Sequence, residues 1–117
     1  MKIGIVGYGT VGKAVHCAFD TGKTNVYTVD PTTSTTIDSM YAYFTPDIIF
    51  VCVPTPSTED GIDSNIIEGV MHAIAKHDAN PIVIIKSTIT PDVVKKLEKI
   101  YNRIVYNPEF LTERNAI

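Results

Sequence analysis

The sequence predicts an α/β fold, a doubly wound parallel sheet of about five strands in a single domain. Three observations predict it. Short apolar segments alternate along the chain with segments whose apolar residues recur at helical spacing. One of the apolar segments, Ile48 to Val53, is continuous rather than alternating, as in a strand covered on both faces of a parallel sheet. And three glycines at G-x-G-x-x-G spacing, Gly7, Gly9 and Gly12, stand between the first apolar segment and the first helical one.

The first strand is the run containing Ile3, Ile5 and Val6, and the segment Lys13 to Phe19 continues as a helix. Strand, tight turn and helix in that order give the glycines distinct tasks. Gly7 allows the sharp turn, Gly9 leaves room for a pyrophosphate to approach the backbone, and Gly12 lets the helix sit close to the strand. The helix start then offers unpaired N–H groups and a partial positive charge to phosphates. The second strand, Asn25 to Val29, ends in Asp30. A carboxylate about 20 residues beyond the glycines can bond the ribose diol of an adenosine and repel a 2′-phosphate, which favours NAD over NADP. Asp30 also reads as a helix cap or turn residue before Pro31. The pattern is that of a Rossmann-type sheet, with strand order 3-2-1-4-5 expected; the order 2-1-3-4-5 suits the spacing almost as well.

The stretch Pro31 to Thr36 is a hydroxyl-rich loop that reads equally as a ribose contact and as a solvated loop. Ile37, Met40, Tyr41 and Phe44 share one face of a short helix, which Pro46 ends. The third strand, Asp47 to Val53, runs into a stiff loop from Pro54 to Gly61. Asp63, Ser64 and Asn65 open a helix that continues to about His77, and its His72 and His77 read as solvated. The segment Pro81 to Thr88 is a fourth strand. Pro91 begins a helix with Val93, Val94, Leu97 and Ile100 on one side, and Arg103 to Tyr106 is a short fifth strand.

With 117 residues, 44% hydrophobic and 20% charged, the chain has the composition of an ordinary globular domain. A net charge of −3 with mixed signs gives no footprint for nucleic acid. The longest uninterrupted apolar run is six residues, far short of a membrane span, and no export signal precedes the first strand, so a cytoplasmic location is expected. Cys17 and Cys52 read as core residues, and the histidines are scattered, so no metal site is expected.

Four strand ends converge on one edge: the glycine turn with Asp30, the Pro54 to Gly61 loop, Lys86-Ser87-Thr88, and the segment Asn107 to Glu113. The hydroxyls of Thr55 and Thr88 can bond a ribose, an amide or a substrate oxygen. Glu109 and Glu113 would share a face on a helical turn; one could serve as a base, or both could be surface charges.

Five blocks in order resemble the N-terminal NAD-binding domain of the UDP-glucose/GDP-mannose 6-dehydrogenase family. They are Gly7-Tyr8-Gly9-Thr10-Val11-Gly12, Asp30, Val51-Cys52-Val53-Pro54-Thr55-Pro56, Lys86-Ser87-Thr88, and Asn107-Pro108-Glu109-Phe110-Leu111 followed by Glu113. The resemblance implies that Gly7, Gly9, Thr10, Val11, Gly12 and Asp30 hold NAD, with Val53, Pro54, Thr55, Pro56, Ser57, Ser87, Thr88 and Ile89 completing the cofactor site. It further implies Glu109 as acid/base, grouped with Thr88 as the catalytic residues. The sugar nucleotide would be received around Glu109, Phe110, Leu111 and Thr112, and Glu113 would approach the nicotinamide. Members of this family oxidise a sugar C6 alcohol to a carboxylate in two hydride transfers, passing through a thioester on a cysteine in a Gly-rich Cys-Phe-Pro-Lys motif. These 117 residues contain no such motif. The expectation is therefore an NAD-binding part of such an enzyme, either a fragment or one subunit of a split enzyme with the catalytic half on a separate chain. A stand-alone NAD or nucleotide-binding module is the alternative.

Overall fold

A computed structural model describes residues 1–7, 9–19, 24–31, 34–59 and 61–107 of the protein. The described residues form β1 (Lys2–Val6), α1 (Thr10–Phe19), β2 (Asn25–Val29), α2 (Ile37–Tyr43), β3 (Ile48–Val51), β4 (Ser57–Thr58), β5 (Gly61–Ile62), α3 (Asn65–Ala75), β6 (Ile82–Ile85), α4 (Pro91–Ile100) and β7 (Ile104–Tyr106). Five strands make one parallel sheet in the order β2-β1-β3-β6-β7.

This is the order 2-1-3-4-5 and corrects the expected 3-2-1-4-5. The third long strand lies against β1, with Ile3 opposite Ile48 and Val6 opposite Val51, rather than outside β2. The side chains give the reason. Ile49 and Val51 on one face of β3 are fully buried and Phe50 on the other is nearly so, which only an interior strand achieves. Asn25, Tyr27 and Thr28 of β2 tolerate an edge, where their side chains remain partly exposed.

Alternation along the strands divides the core between two faces. One face carries Val6, Val29, Ile49, Val51, Val83 and Ile85 against α2, α3 and α4, which contribute Met40, Ile67, Met71, Ile74 and Leu97. The other carries Ile3, Ile5 and Phe50 against Val15 of α1. Each fully buried isoleucine contributes roughly 2 kcal/mol by removing its side chain from water. The second face thins toward β7: Ile84 is partly buried and its neighbour Val105 is 51% exposed.

The helices begin where local chemistry dictates. Thr36 caps α2 through a reciprocal pair, its hydroxyl accepting from the Ser39 N–H at 3.0 Å and the Ser39 hydroxyl accepting from the Thr36 N–H at 2.8 Å. At α3 the Asp63 carboxylate accepts from the Asn65 N–H at 2.9 Å. Pro91 occupies the first turn of α4, where its missing N–H has no helical partner to lose. The stiff loop after β3 contains an unexpected two-stranded hairpin, β4 pairing antiparallel with β5. No helix among the described residues is long and apolar enough to cross a membrane.

Candidate functional site

The chain leaves β1 to reach β2 on one side and returns to β3 on the other, so the strand order reverses between β1 and β3. Loops diverge there and leave a crevice at the carboxyl ends of the strands. A cleft of about 420 Å³ lies at this position, walled by Val6 and Gly7 at the end of β1, Val29 and Asp30 at the end of β2, and Val53 and Pro54 after β3. Pro31, Thr35 and Ile37 close one side and Ile66 and Val70 of α3 the other. The walls are almost wholly apolar apart from Asp30 and Thr35. A flat aromatic base suits such walls, and a carboxylate at the rim suits a hydroxyl-bearing sugar.

The glycine turn lies beside Asp30, because the Gly7 N–H donates to the Val29 carbonyl at 2.8 Å. Gly7 has φ +93°, a conformation L side chains rarely adopt, and a Cβ there would meet the Cys52 carbonyl oxygen at 2.6 Å. A Cβ on Gly12 would collide with the Gly7 carbonyl oxygen. Gly9 differs from both, since nothing among the described residues lies within 4 Å of where its Cβ would be. The first and third glycines thus serve close packing, and the middle one leaves open space above the backbone at the start of α1. That space fits a pyrophosphate approaching the helix N-terminus, so these residues suit a dinucleotide.

On the other side of the crevice the loops after β3 and β6 are tied together. The Ser87 hydroxyl, buried, donates to the Val53 carbonyl at 2.7 Å, and the Thr55 hydroxyl donates to the Thr88 carbonyl at 2.7 Å. The Tyr106 hydroxyl, at the end of β7, accepts from the Ile89 N–H at 3.1 Å and donates to the Ile89 carbonyl at 2.9 Å. The Ser87 and Thr55 hydroxyls therefore position the backbone of the loops expected to meet the cofactor. Ile89 is buried, whereas Pro54, Pro56 and Thr88 are exposed at the rim.

Gly7, Asp30, Val53 and Pro54 are thus brought to one cleft, and Gly9, Gly12 and the backbone of Thr10 and Val11 follow directly at the head of α1. Thr55, Ser87, Thr88 and Ile89 form the braced neighbouring edge. Ser57 begins the β4 hairpin strand. Glu109, Phe110, Leu111, Thr112 and Glu113 lie outside the described residues. Pro31 and Thr35 belong to the loop read equally as a ribose contact and as a solvated loop, and three cleft residues went unnoticed in the sequence: Ile37, Ile66 and Val70. For Ile66 a signal existed, since it is a large apolar residue in the first turn of α3, and it is 45% exposed in the structure. Tyr106 gave no signal, because a tyrosine ending a short strand reads as surface.

Away from the cleft, α2 and the end of α3 are clipped together. Asp38 accepts from Lys76 Nζ at 3.2 Å and bonds His77 Nε2 at 2.9 Å, while the His77 ring stacks on Tyr41 with centroids 3.9 Å apart. His77 is therefore not the solvated residue expected. The His77 hydrogen bond first, and the Lys76 one next, hold the Asp38 carboxyl below its usual range. Burial pushes the Tyr41 phenol up to about 12. At the start of α4 a hydrogen bond with the Thr90 side chain holds Asp92 below the carboxylate range.

A sheet whose switch point holds an apolar slot, a carboxylate rim and a glycine turn open over its middle residue defines a class, the Rossmann-type dinucleotide-binding domain. Residues 32–117 match the UDP-glucose/GDP-mannose dehydrogenase family, NAD binding domain, and the chain belongs to that family. Over 80 residues it is 35% identical to a UDP-glucose 6-dehydrogenase of Campylobacter jejuni, an alignment covering 65% of this chain and 20% of that protein. It is 40% identical over 80 residues to an uncharacterised protein of Methanocaldococcus jannaschii, covering 61% of this chain and 9% of that one. The chain thus spans a small part of the curated relatives it matches. The fold is similar to that of a GDP-mannose dehydrogenase from Pseudomonas aeruginosa (TM-score 0.65, 22% identity, 96% of this chain and 37% of that one). It is likewise similar to a UDP-D-ManNAc dehydrogenase from Pyrococcus horikoshii (TM-score 0.68, 19% identity, 96% and 37%). The cofactor of this domain is NAD.

Proposed function

We propose that this chain supplies the NAD-binding half of a nucleotide-sugar 6-dehydrogenase. The observation that carries the reading is a cleft that joins Gly7, the Asp30 rim and the apolar slot between Ile37 and Ile66, with the open space over Gly9 following two residues after Gly7. The Gly7 to Gly12 turn and the first N–H groups of α1 hold the pyrophosphate. Asp30 accepts from the adenosine ribose diol, and the slot takes the adenine. The nicotinamide half then extends past the switch point toward the braced loops, where Val53 to Ser57 and Ser87 to Ile89 orient it. NAD, when bound, supplies a hydride acceptor at that end. The Thr88 hydroxyl bonds a substrate oxygen nearby, and Glu109 exchanges the proton of the substrate alcohol. Phe110 to Thr112 receive the sugar nucleotide, and Glu113 approaches the nicotinamide.

The full oxidation to a carboxylate needs a thiolate to form the acyl intermediate, and neither Cys17 nor Cys52 has the sequence context for it. The 117 residues alone should therefore bind NAD without producing NADH from UDP-glucose. Absorbance at the NADH band, followed with the chain alone and again with a second chain bearing the Gly-rich cysteine motif, tests this. Steady NADH from the chain alone would refute the division of labour. No NADH from the pair, with NAD bound, would favour a stand-alone binding module.

A further inference from the structure

Asp30 does not stand at the cleft rim by itself. The Thr35 hydroxyl accepts from the Asp30 N–H at 3.0 Å and donates to the Thr28 carbonyl at 2.8 Å, and the Thr35 N–H donates back to the Asp30 carbonyl at 3.4 Å. One side chain thus joins the end of β2 to the residues that follow it. The Ser34 N–H donates to the Pro31 carbonyl at 3.2 Å, and Ser34 holds φ +55°, a left-handed conformation that costs a non-glycine residue energy. A strained residue persists only where its surroundings over-determine it, and the Thr35 bonds to Thr28 and Asp30 fix the residue next to Ser34. Thr35 also lines the cleft.

We infer that Thr35 is a positioning residue for cofactor choice: by fixing the backbone of Asp30 on both sides, it holds the carboxylate where a ribose 2′-hydroxyl is accepted and a 2′-phosphate is repelled. The inference rests on the reading that Asp30 meets the adenosine ribose. A hydrogen bond to a charged group repays only a carboxylate already in place, and a rim carboxylate free to swing aside also relieves its repulsion of a phosphate. Losing the Thr35 hydroxyl therefore weakens NAD and spares NADP.

Calorimetric titration of the chain with NAD and with NADP tests this. Thr35→Val, equal in size but without the hydroxyl, should narrow the NAD-over-NADP affinity ratio about tenfold, the scale of one charge-assisted hydrogen bond. Thr35→Ser should keep the ratio within about twofold of the unaltered chain, since it keeps the bonding oxygen. In an Asp30→Ala background, Thr35→Val should change the ratio no further. A Thr35→Val chain that melts cooperatively and keeps the original ratio would overturn the inference, provided Asp30→Ala narrows it. An unchanged ratio in Asp30→Ala would instead remove the reading of Asp30 itself. Hydrogen exchange in the unaltered chain tests the same point should Thr35→Val fail to fold. The Asp30 amide should exchange more slowly with NAD bound than with NADP bound at equal saturation, and equal rates would contradict the inference.

Discussion

Gly7 and Gly9 are two residues apart and chemically identical, yet the backbone asks opposite things of them. At Gly7 a methyl group meets both a positive φ and the Cys52 carbonyl, so Gly7→Ala should lower stability by about 2 kcal/mol or more, seen as a fall in Tm. At Gly9 a methyl group enters open space, so Gly9→Ala should change stability by less than about 0.5 kcal/mol while sharply weakening NAD binding. Equal losses of Tm in both variants would contradict that separation. Tyr41 is a second residue whose atoms divide. Its ring stacks on His77, but its hydroxyl oxygen is buried without a hydrogen-bond partner among the described residues. Tyr41→Phe keeps the ring and removes the orphan, and should raise stability by about 1 kcal/mol. The folded phenol titrates near 12 rather than 10, so the folded state keeps a proton the unfolded chain loses. Stability should therefore fall as pH rises from 10 to about 12, and Tyr41→Phe should flatten that limb of a denaturation series.

At the scale of elements, α2 and α3 wall the cleft through Ile37, Ile66 and Val70, and the Asp38 clip joins α2 to Lys76 and His77 just past the end of α3. Asp38 has a folded pKa below its unfolded value, so its contribution is present above the ordinary carboxylate range and is lost as pH falls through the folded value. Asp38→Asn should remove that acid-side loss, giving a flatter Tm-against-pH curve below pH 4; an unchanged curve would show the clip to be idle. This clip was hidden in the sequence. Asp38 and His77 are far apart in the chain, and only the packing of α2 on α3 makes them neighbours. The existence of the long strands and of all four helices was legible, because period and apolar runs are local signals. Strand order was less so, although the polar residues of β2 against the unbroken apolarity of β3 already said which of the two belonged at an edge. The β4 and β5 hairpin escaped because two-residue strands carry too little pattern to be seen.

Across the whole molecule, the crevice has two sides of different construction. The side proposed for the adenosine is a slot between apolar walls, and the other is a set of loops locked by Ser87, Thr55 and Tyr106. Glycines and Asp30 announced the first in the sequence. The hydroxyls of the second were legible as polar residues at strand ends, but their bonds to loop carbonyls were not, since these depend on how β3, β6 and β7 align. Ser87→Ala and Tyr106→Phe should each lower stability by about 1 kcal/mol. Each should also weaken NAD while leaving AMP binding intact, because under the proposed arrangement AMP meets the slot alone; equal loss for both ligands would deny the division. The central claim is that NAD lies in the crevice at the switch point between β1 and β3. Titrating the isotopically labelled chain with NAD while following its backbone amides tests it most directly. Shifts concentrated at Gly7, Gly9, Asp30, Val53, Ile66 and Val70 are the result expected, and saturable NAD binding that leaves those amides unmoved would contradict the account.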